Sequence, residues 1–317
     1  MIEKKNKKVV VLATGGTIAG WASDLNAPHN YQAGQIEVAQ LLMELKESPH
    51  NILSEQITQI DSKDADDAFW RVLAKRAAYW LEQTEVIGLV VTHGTDTLEE
   101  TAYFLQAVLQ PNKPLVLTCA MLAANAPNSD GPGNLKDALA LAFDESASGV
   151  MVVCAGDVHA AHEVQKIHSL RLNPFSSGDL GPMGQIVNGE FKRLRPASSI
   201  RWPQPLPSVK DLLADQSWPR VLLVVNHAGN DGSMVRAMLT HDAPDGWVVA
   251  GTGNGTLDHA LQDALEQAQT QGARVIRASR CSWGGVQSRA DDLFAHAGQL
   301  TAVQARVALM LALMVKK

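Results

Sequence analysis

Two short loops combine hydroxyl, carboxylate and glycine residues in a way that could support catalysis. Residues Ala13–Gly20 read Ala-Thr-Gly-Gly-Thr-Ile-Ala-Gly, and residues Thr92–Thr97 read Thr-His-Gly-Thr-Asp-Thr. A threonine hydroxyl is a weak nucleophile until a base activates it. Thr95 and Asp96 place a hydroxyl beside a carboxylate, and that carboxylate could position a lysine acting as the base. The two loops therefore predict chemistry that uses a hydroxyl group.

Glycines in both loops fit the same interpretation. Gly16 in the first loop and Gly94 in the second permit close approach of two backbones, and their N–H groups could stabilise an oxyanion. A structural alternative stays open, because tight turns use glycine and helix N-caps use threonine. Thr97, followed by Glu99 and Glu100, has the pattern of a helix start. Two such loops in one chain favour the catalytic interpretation.

Each loop follows an apolar run, and such runs alternate with helical patterns. Strands are predicted at Val9–Ala13, Val86–Thr92, Leu115–Cys119 and Gly149–Cys154. Helices are predicted at Ile36–Lys46, Asp64–Glu82, Leu98–Leu109 and Asn134–Ala142. Continuous apolar strands between helices are typical of a parallel sheet covered on both faces. Ligands of α/β sheets bind at the carboxyl ends of the strands, which is where both loops fall.

A change of composition divides the chain. Asn188-Gly189 within Gln185–Phe191 predicts a hairpin, and five prolines then fall between Arg195 and Pro219. Beyond them, strands are predicted at Val221–Asn226, Trp247–Gly251 and Arg274–Ser279, and helices near Gly232–Leu239, Leu257–Gln271 and Val303–Met314. We predict an α/β protein with a larger N-terminal, mainly parallel-sheet domain flanked by helices (residues 1–194), a proline-rich linker (195–219) and a smaller C-terminal α/β domain (220–317).

Charge and hydropathy exclude several classes of partner. The formal net charge of −6 gives no general electrostatic case for nucleic acid or an anionic membrane surface. No segment approaches the roughly 18 apolar residues of a membrane span. The apolar run at Val9–Ala13 is too short for a signal peptide, so we expect a cytoplasmic protein. Cys119, Cys154 and Cys281 lack C-x-x-C spacing, which indicates reduced thiols.

Motifs for cofactors and metals are incomplete. Gly15 and Gly20 have the spacing of a phosphate loop, but Trp21 stands where that loop requires lysine. Histidines at positions 159, 162 and 168 lie close in sequence without the carboxylate or cysteine spacing of a zinc site. We therefore expect neither a metal nor an organic cofactor.

The residues of the two loops resemble the bacterial L-asparaginase family. That family carries a T-G-G-T-I-A-G loop near its N-terminus and an H-G-T-D-T-x-E-E-T-A-Y-F-L segment about eighty residues later. Here these segments are Thr14–Gly20 and His93–Leu105. Further matches follow in order at Lys113–Pro114, Ala120–Met121, Ser129–Pro132, Gly181–Gly184 and Gly253–Gly255. The resemblance extends over essentially the whole chain.

The resemblance implies a role for each catalytic residue. Thr17 corresponds to the nucleophile, and Tyr31 to a tyrosine on the loop that closes over it. Thr95, Asp96 and Lys166 correspond to a second threonine, a carboxylate that binds the substrate α-amino group, and the lysine of their triad. The implied reaction is hydrolysis of L-asparagine through a threonine ester, with weaker glutaminase activity. The family also implies a homotetramer whose sites are shared between subunits.

The resemblance also implies a substrate pocket, and this chain departs from the family near it. Ser62 corresponds to a serine that binds the substrate α-carboxylate, and Ala120 to a residue whose carbonyl receives the amide nitrogen. Lys63 replaces a frequent glutamine and could pair with the substrate carboxylate or with Asp96. In the C-terminal domain, Thr256 replaces a frequent asparagine. Arg289 lies near the position of a glutamate that often reaches a neighbouring subunit's site.

Two other functions share parts of this pattern. The ammonia-releasing subunit of a transfer-RNA amidotransferase shares the fold, but it usually carries an added N-terminal domain, whereas this sequence starts directly at its first predicted strand. A catalytically silent amino-acid sensor would need the pocket but not the nucleophile and base. Retention of Thr17 and Lys166 favours the enzyme.

Overall fold

The computed structural model describes residues 7–24, 30–43, 51–198, 206–214 and 217–315. Contacts between residues divide the chain into two compact units, Met1–Ile200 and Arg201–Lys317. The sequence places the ends of the linker at residues 195 and 219, and these boundaries stay a prediction. Within the described residues, no helix is long and apolar enough to cross a bilayer.

The first unit is an α/β layer structure built on one large sheet. Its strands are β1 (Lys8–Gly15), β2 (Trp21–Ala22), β3 (Tyr31–Gln32), β4 (Ile52–Ile60), β5 (Val86–Thr92), β6 (Pro114–Thr118), β7 (Gly149–Cys154), β8 (Asp157–Ala160), β9 (Gln165–Lys166), β10 (Phe175–Ser176), β11 (Gly184–Val187) and β12 (Glu190–Arg193). Its helices are α1 (Val38–Met43), α2 (Asp67–Glu82), α3 (Leu98–Leu109) and α4 (Gly131–Ala142).

The large sheet has eight strands in the order β12-β11-β8-β7-β6-β5-β1-β4. The five strands from β7 to β4 run parallel, and β8, β11 and β12 are joined to them by antiparallel pairs. The β11–β12 pair is the hairpin that the Asn-Gly signal predicts. Strands β2 with β3 and β9 with β10 form two separate antiparallel pairs.

Burial explains why the central strands are continuous apolar runs. Strands β1, β5, β6 and β7 are buried along nearly their whole length, since helices cover the sheet. Helices α2 and α3 pack together through Trp70, whose ring stacks on Phe104 and whose indole N–H donates to the Thr101 hydroxyl at 3.0 Å. Burial of each large apolar side chain contributes roughly 1.5–3 kcal/mol. A well-packed core therefore supports the strand ends.

Four neighbouring parallel strands end at one edge of the sheet, and the candidate site lies there. In the sheet order, β1 lies between β4 and β5, and β6 follows β5. The chain leaves these strands at Gly15, Ile60, Thr92 and Thr118. Both loops found in the sequence therefore begin at adjacent strand ends, and two further segments begin beside them.

The second unit has a smaller parallel sheet. Its strands are β13 (Val221–Val225), β14 (Gly246–Gly251), β15 (Arg274–Ser279) and β16 (Ala295–His296), paired in that order. Its helices are α5 (Val209–Leu212), α6 (Ser233–His241), α7 (His259–Thr270) and α8 (Ala302–Met314). Trp247 is fully buried in this unit's core. The predicted α/β fold with a larger and a smaller parallel sheet is confirmed.

Several predicted boundaries differ from the structure for local reasons. The helix predicted from Asp64 begins at Asp67, because Asp66 caps it by accepting the N–H of Phe69 at 2.8 Å. The helix predicted from Asn134 begins three residues earlier, at Gly131. The helix predicted at Ile36–Lys46 is described as Val38–Met43, and residues 44–46 lie outside the described part of the chain.

Candidate active site

The two glycine-containing loops touch each other directly. A Cβ atom added to Gly16 would lie 2.4 Å from the backbone nitrogen of Gly94, and Gly16 has a φ of +76°. Only glycine fits this close approach and this backbone conformation. The N–H of Gly16 donates to the carbonyl of Ile60 at 2.8 Å. The expectation that this N–H is free for an oxyanion is therefore wrong, and Gly16 serves to bring the two loops together.

Thr17 and Tyr31 form the first hydroxyl centre. Thr17 begins a buried 3-10 turn, Thr17–Ala19, immediately after Gly16. Its Oγ1 lies 2.6 Å from the hydroxyl of Tyr31, which stands on β3. Burial raises the pKa of Tyr31, and the nearby carboxylates of Asp61 and Asp96 raise it further. The hydrogen bond with Thr17 and the charge of Lys63 lower this pKa, but the net effect is an increase. Tyr31 is therefore a neutral phenol at neutral pH.

Thr95, Asp96 and Lys166 form the second hydroxyl centre. The Nζ of Lys166 donates to Thr95 Oγ1 at 2.8 Å and to Asp96 Oδ1 at 2.6 Å. The lysine side chain is 19% exposed and the aspartate side chain 55% exposed, so the aspartate faces solvent. Lys166 lies on β9, seventy residues from Asp96, and the structure nevertheless brings the three predicted residues into one bonded group.

Glu99 connects the strand of Lys166 to the helix that follows Thr95. Its Oε2 accepts the backbone N–H of Lys166 at 3.0 Å. Burial raises the pKa of Glu99 to about 7, and the charge of Glu100 adds to this increase. The hydrogen bond from the Lys166 N–H and the charge of the Lys166 side chain lower the pKa, but by less. In the sequence, Glu99 indicated only a helix start. Two glutamates, Glu99 and Glu100, in the first turn of a largely apolar helix were the available signal.

Ser62 and Lys63 lie together in sequence but have different environments. Ser62 is 2% exposed, and its Oγ accepts the N–H of Asp96 at 3.2 Å. The Nζ of Lys63 lies 3.2 Å from Asp61 and 2.7 Å from Asp64, on a 3-10 turn where its side chain is 60% exposed. Of the two partners that the sequence left open for Lys63, Asp96 is therefore wrong, because two nearer carboxylates hold the ammonium group. Pairing with a substrate carboxylate is not tested by these contacts.

Ala120 lies two residues after the end of β6 and is fully buried. The loop that follows it is held by Asp130, whose carboxylate accepts the N–H groups of Met121 at 2.9 Å and Leu122 at 2.9 Å. Asn134 donates to the carbonyl of Cys119 at 3.0 Å. These bonds place the Ala120 segment beside the end of β5 without any role for Ala120's own side chain.

The histidines at positions 93, 159, 162 and 168 are engaged in contacts within the protein. His93 is fully buried, and burial lowers its pKa to about 4. His159 lies 2.8 Å from the Ser177 hydroxyl, and His162 lies 3.0 Å from the carbonyl of Ser198. His168 accepts backbone N–H groups of its own loop. In the part of the chain that the structure describes, no three histidine, cysteine or acidic side chains converge in a group that could hold a metal ion.

Thr256 and Arg289 belong to the second unit. Thr252 and Thr256 form a short bridge, and their hydroxyl oxygens lie 2.8 Å apart. The N–H of Arg289 donates to Asp292 at 2.8 Å. Both residues therefore have local roles in loops of that unit, and their predicted effect on the substrate pocket stays a prediction.

Family models and known proteins match most of the chain. The family model described as "Asparaginase, N-terminal" matches residues 8–198, and "Glutaminase/Asparaginase C-terminal domain" matches residues 220–317. L-asparaginase 2 of Escherichia coli (strain K12) is 36% identical over 96% of this chain and 88% of that protein. Glutaminase-asparaginase of Pseudomonas fluorescens biotype A is 33% identical over 98% of this chain and 88% of its own length.

A solved structure agrees in fold as well as in sequence. The crystal structure of a probable cytoplasmic L-asparaginase from Campylobacter jejuni has a TM-score of 0.89 and 35% identity, and the match covers 98% of this chain and 96% of that one. Together with the two family models, these matches show that the chain belongs to the asparaginase family.

Proposed function

We propose that this protein hydrolyses the side-chain amide of L-asparagine to L-aspartate and ammonia, and that it acts more slowly on L-glutamine. The observation that carries the proposal is the presence of two hydroxyl centres at adjacent strand ends, Thr17 bonded to Tyr31 and Thr95 bonded to Lys166. The names of the relatives support the choice of substrate, since they include L-asparaginase 2 and glutaminase-asparaginase.

In the proposed reaction Thr17 is the nucleophile. Its Oγ1 attacks the amide carbon, the C–N bond breaks, and the hydroxyl proton leaves with the nitrogen as ammonia. Water then attacks the resulting aspartyl ester, releases aspartate and restores the Thr17 hydroxyl. Tyr31 orients the nucleophile through its hydrogen bond. Because burial raises the pKa of Tyr31, it acts as a neutral partner and not as an ionised base.

Thr95 and Lys166 are assigned to proton transfer, and backbone groups to charge stabilisation. The 2.8 Å contact supports proton exchange between Lys166 Nζ and Thr95 Oγ1. Within the described ranges, the backbone N–H groups of Thr17 and Thr95 donate to no backbone carbonyl outside the helices and strands. Both follow the glycines at which the loops cross, so they are the donors we assign to the developing oxyanion.

The substrate's charged groups match the remaining residues. Lys166 engages Oδ1 of Asp96, and the exposed carboxylate has a second oxygen to accept the substrate α-ammonium group. The Ser62 oxygen accepts an N–H, which leaves its hydroxyl proton to donate, and we assign this proton to the substrate α-carboxylate. We assign the Ala120 carbonyl to the amide nitrogen, and the backbones of Gly16 and Gly94 to the pocket wall.

The proposed assembly is a cytoplasmic homotetramer that needs no cofactor. The Campylobacter jejuni protein is described as a probable cytoplasmic L-asparaginase. Cys119 and Cys154 are both free thiols buried in the core, which suits a reducing compartment. Light scattering during size-exclusion chromatography tests the assembly: a mass of four chains supports it, and a stable monomer contradicts it.

The deciding experiment measures ammonia release from L-asparagine, L-glutamine and D-asparagine. We expect the parent to prefer L-asparagine, Thr17→Ala to abolish turnover, and the exposed control Thr84→Ala to retain it. Acid quenching during turnover should leave an aspartyl group on the peptide that contains Thr17. Substrate binding without turnover by the parent would indicate a sensor, and an unchanged rate in Thr17→Ala would exclude Thr17 as the nucleophile.

A further inference from the structure

Tyr31 stands on a very small structural element. The Tyr31 strand pair, which we define as β2 with β3, has only two residues in each strand, and Ala22 is the residue opposite Tyr31. A pair of this size has too few backbone hydrogen bonds to be stable alone. The 2.6 Å contact between Tyr31 and Thr17 therefore depends on whatever holds the pair in place.

The side chain of Asn125 makes two hydrogen bonds to one residue of this pair. The N–H of Ala22 donates to Asn125 Oδ1 at 2.8 Å, and Asn125 Nδ2 donates back to the carbonyl of Ala22 at 2.8 Å. A primary amide offers a donor and an acceptor side by side, so it can satisfy both backbone groups of a strand residue as a neighbouring strand would. Asn125 and Ala22 are 103 residues apart in sequence.

Other contacts also hold the Tyr31 strand pair against the loop that carries Asn125. The N–H of Ala124 donates to the carbonyl of Gly20 at 3.0 Å. Ala22 packs with Ala123 and Ala126 in a small buried cluster, and Tyr31 packs against that cluster. A Cβ atom added to Gly20 would lie 2.9 Å from the ring of Tyr31, so the ring also lies directly over the chain that leads from Thr17.

The loop that carries Asn125 is itself firmly held. Its first residues, Met121 and Leu122, donate their N–H groups to Asp130, which precedes α4. Asn134, on α4, donates to Asp130 at 3.2 Å and to the carbonyl of Cys119 at 3.0 Å. Asn125 therefore connects the weak strand pair to a segment fixed on the helix layer and on the end of β6.

We propose that Asn125 is a positioning residue for the reaction: its two hydrogen bonds to Ala22 hold the Tyr31 strand pair so that the Tyr31 hydroxyl meets Thr17. This inference rests on the proposed function, in which Thr17 is the nucleophile. Asn125 contacts neither Thr17 nor the Tyr31 hydroxyl in the described structure, and it acts through the backbone of Ala22. Its removal should affect the rate of the chemical step more than substrate affinity.

The kinetic test is a double-mutant cycle. Asn125→Ala should lower kcat about tenfold and change KM less than about twofold, because the substrate contacts at Asp96 and Ser62 are untouched. In a Tyr31→Phe background, the same substitution should lower kcat less than about twofold, because the contact it supports is already absent. Asn112→Ala, an exposed asparagine on another loop, is the matched control and should leave kcat unchanged.

A second variant and an activity-independent measurement complete the test. Asn125→Asp keeps the size and the acceptor for Ala22 N–H, but it loses the donor to the Ala22 carbonyl, so kcat should fall to a similar extent. Hydrogen exchange at the Ala22 amide should become about tenfold faster in Asn125→Ala, because that variant removes the acceptor that protects this amide. Melting temperatures of the variants establish that the proteins are folded.

The outcomes separate this inference from the proposed function. If the parent releases no ammonia, the proposed function fails, and exchange at Ala22 alone decides whether Asn125 holds the strand pair. Unchanged exchange at Ala22 in Asn125→Ala would overturn the inference. An equal loss of kcat in the parent and Tyr31→Phe backgrounds would also overturn it, because Asn125 would then act independently of Tyr31.

Discussion

Replacing Glu99 by glutamine should change how the stability of the protein depends on pH. Burial raises the pKa of Glu99 from 4.5 to about 7 in the folded protein. Between these two values the unfolded chain has released the proton while the folded protein still binds it. The contribution of this group to the free energy of unfolding therefore falls as pH rises through this window, and it is constant above the folded pKa.

The size of the effect follows from the two pKa values. From pH 5 to pH 8, the Glu99 contribution to the free energy of unfolding should fall by about 2.5 kcal/mol in the parent. Glutamine does not titrate, so the variant lacks this change. Its amide oxygen can still accept the N–H of Lys166, which keeps the local contact. The parent should therefore lose stability relative to Glu99→Gln over this range.

Buried histidines act in the opposite direction and must be separated from Glu99. Burial lowers the pKa of His93 and of His159 to about 4. Each of these groups therefore contributes stability that is present above pH 6.5 and is lost as pH falls towards 4. Both histidines are present in the parent and in the variant. Their contributions cancel when the two proteins are compared in the same buffer.

The assay is denaturant unfolding of both proteins at pH 5, 6, 7 and 8. Glu82→Gln, which removes an exposed carboxylate at the end of α2, is the control and should show no such change relative to the parent. A parent–variant difference that stays constant from pH 5 to pH 8 would refute the reasoning. It would mean that Glu99 titrates like an exposed glutamate, and that the segment containing Lys166 does not bury the Glu99 carboxylate.

Two further substitutions test the geometry of the site. Gly94→Ala places a Cβ 2.5 Å from Ser62 Oγ and 2.8 Å from Ser62 Cβ, so kcat/KM for L-asparagine should fall at least about tenfold. Gly133→Ala, where an added Cβ meets nothing within 4 Å, should match the parent, and equal effects of the two would contradict the steric argument. Lys63→Gln should change KM less than about twofold, because the exposed lysine pairs with Asp61 and Asp64. A tenfold change in steady-state KM would instead show that Lys63 binds substrate.

The apolar patterns predicted the central elements well, because those elements are buried on all sides. The structure has Val86–Thr92, Gly149–Cys154 and Leu98–Leu109 with the bounds that the sequence predicts. Strand β4, Ile52–Ile60, was not predicted from the sequence, although it pairs with β1 along most of its length. Strand β4 lies at the edge of the sheet and is only partly buried, so its sequence has polar residues where an apolar run was required.

The site was predictable where residue type indicates the chemistry, as for the threonines and Asp96, or where the resemblance to the family implies a role, as for Lys166. The threonines, Asp96 and Lys166 carry reactive groups, and the structure brings Thr95, Asp96 and Lys166 together as expected. Roles that depend on three-dimensional contacts were not predictable. The N–H of Gly16 donates to the carbonyl of Ile60, and Lys63 forms an ion pair with the adjacent Asp64. Asn125 was not identified because its hydrogen-bond partner, Ala22, lies 103 positions away in the sequence.

The central position of β1 has a consequence for biosynthesis. Both of its neighbours in the sheet, β4 and β5, follow it in the chain, so β1 is synthesised before either partner. Parallel pairing of this kind closes long loops and is slow. Until residue 92 has been synthesised, β1, the apolar strand that leads into Thr17, cannot pair with strands on both of its sides. We expect the newly made N-terminal segment to be the part of this protein that most needs a chaperone.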